Sequence, residues 1–495
     1  MMKKRLLCLM MISCLALSAC APSPAPVEEQ ADPVATLSPA VDGNTPPVGD
    51  AALMAEETFA LYLPDSAGEH LLCQYVPLQS NRGRHPAETV VRAILTRTVA
   101  PMPLTLVGNT PIEISGGVCT VHLSTSALLM DAREYYTLCL SLSATLDELP
   151  GIDAVNVLVA GQAPALDISG HLPAGCLLPS TAQTLPVLWR SVESRRPAVG
   201  ASADSAPLTA ACSLYFPLAD GSGVMPEVRS LTFPGQSPAQ LAQGLVNALF
   251  SGSSNPLFAP LASLSMDMTA APEVIAVTGG ARRITLHFPA DLESRLRQAS
   301  IEPACLYAAL TCTLTTFIPS LQSVQIQAGQ NRITSVIHPT FGSMLFPGGV
   351  MTRADYAPFI LESRSLLFPQ NGLLMPLTVF FPQGEAYSPR RILLKLFGDA
   401  PQNTDRLTPE GLTDADILGL SVQGDTLLVH FSGRTADIIK GSGMNQQMMC
   451  RSITSALGTC LNVRRVRYYF GGEALSDLGQ DVVWDGDFFV LPVQP

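Results

Sequence analysis

The sequence predicts an α+β protein of three tandem small two-layer α/β sandwich modules, each running β-(β)-α-β-α-β. They follow a lipoprotein signal peptide and a Pro-rich disordered tether. Three observations predict it. Four landmarks recur three times in one order. Within each copy the apolar spacing switches between a strand period and a helix period. The first fifty residues read as an export signal and a spacer, with no core of their own.

The chain opens "MMKKRLLCLMMISCLALSAC". Lys3, Lys4 and Arg5 precede an apolar stretch from Leu6 to Leu17, then small residues and a cysteine, the order of a secretory signal peptide. The ending Leu17–Cys20 resembles a bacterial lipobox. That resemblance implies that residues 1–19 are removed and that Cys20 carries the lipid. The expected location is extracytoplasmic, lipid-anchored to the outer face of the cytoplasmic membrane. Residues 20–56 form the tether; Ala21–Asp50 is mostly proline, acids and small residues. In polyproline-like form those thirty residues reach roughly 90 Å.

The first landmark is a short strand ending in proline: Ala60–Pro64, Ser213–Pro217 and Thr378–Pro382. The second is a helix start with proline at its first position, in His85–Leu95, Ser237–Phe250 and Ser388–Phe397. In the first copy Ala87, Val90, Val91, Ile94 and Leu95 form one apolar stripe. The third is a strand carrying a histidine: His122, His287 and His430, spaced by 165 and 143 residues. The fourth is a helix, a closing strand and a glycine, over Tyr135–Gly161, Cys305–Gly329 and Met448–Gly472. Copies one and two carry a further strand after the first landmark; copy three reads as abbreviated. The boundaries are 57–190, 211–367 and a degenerate 377–495, with linkers at 191–210 and 368–376.

Composition narrows the function. Removing residues 1–19 takes three cations and no acid, so the net charge moves from −12 to −15. An acidic surface with only Lys395 and Lys440 left offers no footprint for nucleic acid. Nine cysteines remain beyond Cys20, without C-x-x-C spacing, and several fall on apolar faces. They read mostly as reduced core thiols.

Three motifs carry a resemblance to a known family. They are the helix start Pro86–Glu88, the strand Thr120–Ser124 and the finish Thr145–Val157. These resemble the GerMN domain of exported sporulation and spore-germination lipoproteins. The likeness covers Thr58 to about Gly161 and Cys212 to about Gly329, and weakens over Leu377 to about Gly472. It implies an α+β sandwich related to ring-building motifs, without a catalytic centre. The chain departs from the family where a histidine stands in place of the usual acid.

Residues 118–123 alternate, so Cys119, Val121 and Leu123 share a core face. Ile284, Leu286 and Phe288 match them in copy two; Leu427, Val429 and Phe431 match them in copy three. His122, His287 and His430 fall on the opposite face, read as open and polar. There they are candidate interface residues that titrate between about pH 5 and 8. Each lacks a second ligand two or four residues on, which argues against metal. No hydrolase, P-loop or metalloprotease motif is present, and Asp147/Glu148 reads as a solvated helix end.

The expectation is a non-enzymatic membrane-anchored envelope lipoprotein without cofactor or metal, acting as a sporulation or germination scaffold. Its partners would be the membrane through Cys20, envelope or sporulation proteins, further copies of itself, or peptidoglycan. The alternatives are a peptidoglycan-processing enzyme and a solute-binding lipoprotein. The latter needs two lobes about a cleft.

Overall fold

The computed structural model describes residues 53–107, 110–179, 184–197, 202–401, 403–480 and 482–490. The expected signal peptide, Cys20 and the expected tether through residue 52 lie outside them; the end of the expected tether is corrected, because Leu53 is buried and residues 54–56 open the first strand. The first strand of each module pairs with the next segment as a hairpin. In module 1 these are β1 (Met54–Pro64) and β2 (Leu71–Asn81), followed by α1 (Ala87–Leu95). Then come β3 (Ile112–Ser115), β4 (Val118–Leu123), α2 (Ala132–Leu146) and β5 (Ala154–Val159). α3 (Leu185–Glu193) lies against α2.

Module 2 repeats the plan with β6 (Leu208–Pro217), β7 (Val224–Phe233), α4 (Pro238–Phe250), β8 (Ala270–Ala276) and β9 (Arg282–Phe288). α5 (Leu292–Gln298), α6 (Pro303–Phe317) and β10 (Leu321–Ala328) complete it. A trailing segment adds β11 (Asn331–Arg332), β12 (Ser335–His338) and β13 (Gly342–Leu345). Val336, Phe346, Met351, Tyr356 and Phe359 of this segment join the core, as its apolar content leads one to expect.

Module 3 contains β14 (Glu362–Gln370), β15 (Leu373–Phe381), α7 (Pro389–Phe397), β16 (Ile417–Gln423) and β17 (Thr426–Phe431). α8 (Gly433–Ser442), α9 (Gln446–Leu461), β18 (Arg465–Phe470) and β19 (Phe488–Phe489) follow. The expected abbreviation of copy three is corrected here. "SLLFP", Ser365–Pro369, lies in its first strand, and Thr378–Phe381 belongs to the second. The segment 368–376, expected as a linker, is the tip of the β14–β15 hairpin, turned by Asn371 and Gly372 at positive φ. Apolar residues flanking that short turn hid the hairpin from a search for proline-terminated strands.

Each module also holds a strand the landmarks missed, antiparallel to the histidine strand: β3, β8 and β16. The histidine strand runs parallel to the closing strand, with His122, His287 and His430 opposite Leu158, Gln327 and Tyr469. Parallel neighbours need a crossover, and the second long helix supplies it. That helix packs against both hairpin and sheet: α2 on β1 and β5, α6 on β6 and β10, α9 on β14 and β18. It is therefore apolar on nearly every side, and every residue of α6 from Ala304 to Phe317 is buried. Its polar positions are used locally. Thr145 Oγ1 accepts from the Tyr62 amide, and Thr313 Oγ1 from the Tyr215 amide, both at 2.9 Å.

The buried apolar residues of modules 1 and 2 form one continuous core, and module 3 has its own. The join between the first two uses the second face of the module 1 sheet. Val118, Ala154 and Cys176 pack on Ala211 and Val228 of the β6–β7 hairpin. Asn156 Nδ2 donates to Ser213 Oγ at 3.0 Å across the same surface. Gly116, at φ +54°, allows the closest approach: a Cβ there would stand 2.5 Å from the Pro226 carbonyl oxygen.

Gly116→Val should therefore cost about 2 kcal/mol or more in urea unfolding. Gly279→Val is the control, with left-handed backbone but nothing within 4 Å of the added Cβ. It should lose clearly less.

Candidate functional site

The three histidines do not share an environment. The predicted core face is buried in all three copies: Cys119, Val121, Leu123; Ile284, Leu286, Phe288; Leu427, Val429, Phe431. The opposite face is not the open surface expected. His122 and His430 are buried, and only His287 is half-exposed. His430 stacks on Tyr469, with ring centroids 4.8 Å apart, and burial lowers its pKa. Module 2 packs on this same face of the module 1 sheet, at Val118 and Ala154, which alternation along one strand cannot reveal.

His122 belongs to a buried charge cluster. Its Nε2 lies 3.1 Å from Oε1 of Glu113 on β3, an ion-pair distance without hydrogen-bond alignment. Glu113 Oε2 accepts from Arg353, which begins a 3-10 turn over Arg353–Phe359 in the segment after module 2. Arg353 also donates to Tyr215 Oη at 2.8 Å and Thr316 Oγ1 at 2.6 Å. The guanidinium carbon lies 5.1 Å from the Tyr215 ring centroid. One side chain thus ties β3 of module 1 to β6 and α6 of module 2. Burial pushes the Glu113 carboxyl up, but Arg353 and His122 outweigh it and hold the pKa at about 2.

In module 2 Glu273 pairs with Thr285 as Glu113 pairs with Thr120, so the same acid position recurs. Glu273 is exposed. The sequence contained a signal for these strands: "GG" at Gly116–Gly117 and Gly279–Gly280, and "GD" at Gly424–Asp425, just before each histidine strand. Arg353 had no local signal.

A cysteine and a histidine also meet away from this cluster. Cys305 Sγ lies 3.8 Å from His338 Nε2. His338 Nδ1 accepts from the Thr340 amide at 3.1 Å, so Nε2 carries the proton and donates to the Gly221 carbonyl at 2.9 Å. That nitrogen has no capacity to take the thiol proton, and burial raises the thiol pKa strongly. The pair is a packing contact in this state.

The serial modules do enclose a cleft. A space of about 580 Å³ lies between module 1, at residues 83–88 and 110–114, and module 3, at 383–391 and 418–420. Glu362 lines it from the start of β14. Its Oε1 accepts from the Gly384 amide at 3.0 Å and its Oε2 from the Ala386 amide at 2.9 Å. Gln383 of the same turn bonds both backbone groups of Ile114 and the Ile360 carbonyl. His85, beside the cleft, accepts from the Ala87 amide through Nδ1 at 3.1 Å and meets the Pro150 carbonyl through Nε2 at 3.1 Å. Burial lowers its pKa to about 4, so it stays neutral. Burial has the opposite consequence for Glu362. It raises the carboxyl to about 7, against the pull of the two amides and Arg364.

All nine cysteines within the described residues are free, eight buried and Cys73 exposed. Among those residues no helix is long and apolar enough to cross a membrane.

Comparison with solved structures finds the tandem GerMN domains of the sporulation protein GerM from Bacillus subtilis. Identity is 16%, over 60% of this chain and 99% of that one, with a TM-score of 0.22. A protein of Clostridium perfringens described as a lipoprotein matches at 14% identity over 27% of this chain and 91% of its own, with a TM-score of 0.16. No family model matches the sequence, and no curated protein does. At these scores the two structures carry no functional weight.

Two outcomes follow from the charge cluster and the cleft. Arg353→Met leaves Glu113 buried without its guanidinium and with only His122 beside it, and should cost about 3–5 kcal/mol in denaturant unfolding. Adding Glu113→Met should recover most of that loss. The two acids respond to pH with opposite sign. Glu113, depressed from 4.5, contributes stability that is lost as the pH falls toward about 2. Glu362, raised from 4.5, weakens the fold as the pH rises toward about 7. Glu362→Gln should abolish the second slope, on the order of 3 kcal/mol at most, in unfolding curves between pH 5 and 8.

Proposed function

We propose that this chain is a non-enzymatic envelope lipoprotein built of GerMN-like modules, anchored through Cys20 on the outer face of the cytoplasmic membrane. In this reading it serves as an assembly or scaffold protein of sporulation or germination, working through protein–protein or cell-wall contacts. The lipobox-like ending and the proline-rich spacer support the anchoring. The observation that carries the scaffold reading is the join between modules 1 and 2, where one module lays the outer face of its hairpin on the back of another's sheet. A fold that recognises its own kind of surface suits assembly.

The same hairpin face exists in module 1. Proline-terminated strands align Thr58 and Ala60 with Ala211 and Ser213, and hairpin pairing aligns Cys73 and Tyr75 with Pro226 and Val228. In module 2 this face is occupied. In module 1 Tyr75 is 77% exposed and Cys73 and Thr58 are exposed too. An exposed aromatic beside small residues is a surface of the kind that partners cover.

Cys20→Ala should move the protein from the membrane pellet to the soluble fraction on cell fractionation. In affinity purification from sporulating cells, the intact protein should bring down envelope proteins. The Ala60→Glu/Tyr75→Glu pair should release them while leaving the thermal midpoint within a few degrees. A chain that purifies alone from such cells would sink the scaffold reading.

A further inference from the structure

We propose that the cleft between modules 1 and 3 binds a zwitterionic ligand of amino-acid or short-peptide size. Its ammonium sits against Glu362 and its carboxylate at Arg391. The inference stands apart from the scaffold reading, because a cleft inside one chain needs no assembly partner.

The charged side chains lining the cleft are Arg84, Glu88, Glu362, Glu385, Arg390 and Arg391, three of each sign. They differ in what they already hold. Arg390 is committed to Asp414 at 2.6 Å and to the Ile417 carbonyl at 2.9 Å. Glu88 pairs with Arg92 of its own helix at 2.7 Å. Glu385 and Arg391 share one contact of 3.2 Å near the mouth, where the Arg391 side chain is 53% exposed. That exchangeable pair opens readily to a ligand carboxylate.

Glu362 is the other pole. The residue is 4% exposed, and no lysine, arginine or histidine among the described residues forms an ion pair with it. Arg364 of the same strand acts on it from a distance. Its guanidinium donates to the Ala386 carbonyl at 3.1 Å and lies over the Tyr387 ring at 4.7 Å. Glu385 pushes the other way, and His85 stays neutral nearby. Each carboxylate oxygen accepts one backbone amide and has capacity for a second bond. A buried carboxylate held by two backbone amides, with no cation in contact, on the wall of a cavity of about 580 Å³ favours a cation that can enter. The cavity has the size of small-ligand sites. An inorganic cation would satisfy Glu362 alone; an ammonium with a carboxylate on the same molecule satisfies both poles.

This chemistry has two sources, the termini of wall peptides and those of proteins. D-alanyl-D-alanine and L-alanyl-L-alanine stand for them. The test is isothermal titration of the full chain in detergent with both dipeptides, with N-acetyl-dialanine and with dialanine amide. The free dipeptide should bind and the N-acetyl form should not. Because the ammonium prefers ionised Glu362, affinity should rise about tenfold between about pH 5 and pH 6, below the range in which the dipeptide's own amino group loses its proton. Glu362→Gln should remove that pH dependence and weaken binding at least tenfold. Arg391→Gln should weaken the dipeptide and leave the amide unchanged. A preference for either hand supports the site and names the source. If Glu362→Gln fails to fold, the pH profile of the unaltered chain and the N-acetyl form decide alone. No heat from either dipeptide at about 10 mM, or equal binding of the N-acetyl form, overturns the proposal.

Discussion

The first two modules are held in register by a charge in the wrong place for a charge. Arg353 is buried among Glu113, Tyr215 and Thr316, and no two of those three come from one secondary-structure element. A buried pair of this kind adds little net stability over a well-packed apolar substitute. Its importance is directional. Any other placement of module 2 on module 1 leaves Glu113 desolvated without its guanidinium, a far larger loss than a shifted apolar contact. Close to this anchor, Ser115 Oγ donates to the Leu361 carbonyl at 2.5 Å, so the strand entering module 3 is fixed to module 1 as well.

The two buried acids show how environment decides charge. Glu113 meets a guanidinium and an imidazole and stays ionised across the physiological range. Glu362 meets two neutral amides and a distant arginine, and is balanced near neutrality. Amide dipoles stabilise a carboxylate less than a full opposite charge does, and burial costs both groups alike. Glu113 is therefore a structural anchor, whereas Glu362 has a charge state open to influence. It stands at the point where the chain enters module 3, and the turn it holds faces module 1 across the cleft.

The histidines show the cost of reading one strand in isolation. The apolar positions on β4, β9 and β17 are the core in every copy, as alternation requires. Alternation also assigns His122, His287 and His430 to one opposite face. It is silent on whether a neighbour covers that face. Module 2 covers it in module 1, through Ala211 and Val228, small apolar residues unremarkable in their own strands. The third copy illustrates the same limit. "SLLFP" and "TVFFP" both end in proline, and only pairing across Asn371–Gly372 shows which is first.

What the sequence determined by itself is local. Proline at helix starts, apolar stripes and alternation are set by neighbours a few residues apart, and they specify the modules, their order and their inner faces. The patterns that read as an export signal, a lipobox and a tether are equally local. Tertiary structure decided what lies between modules: the Arg353–Glu113 contact spans 240 residues, and the Gln383–Ile114 bonds span 269. No period or spacing encodes such partners. Their energy comes from desolvating surfaces that meet only after each module has folded, so burial, charge state and the cleft at Glu362 emerge at that level alone.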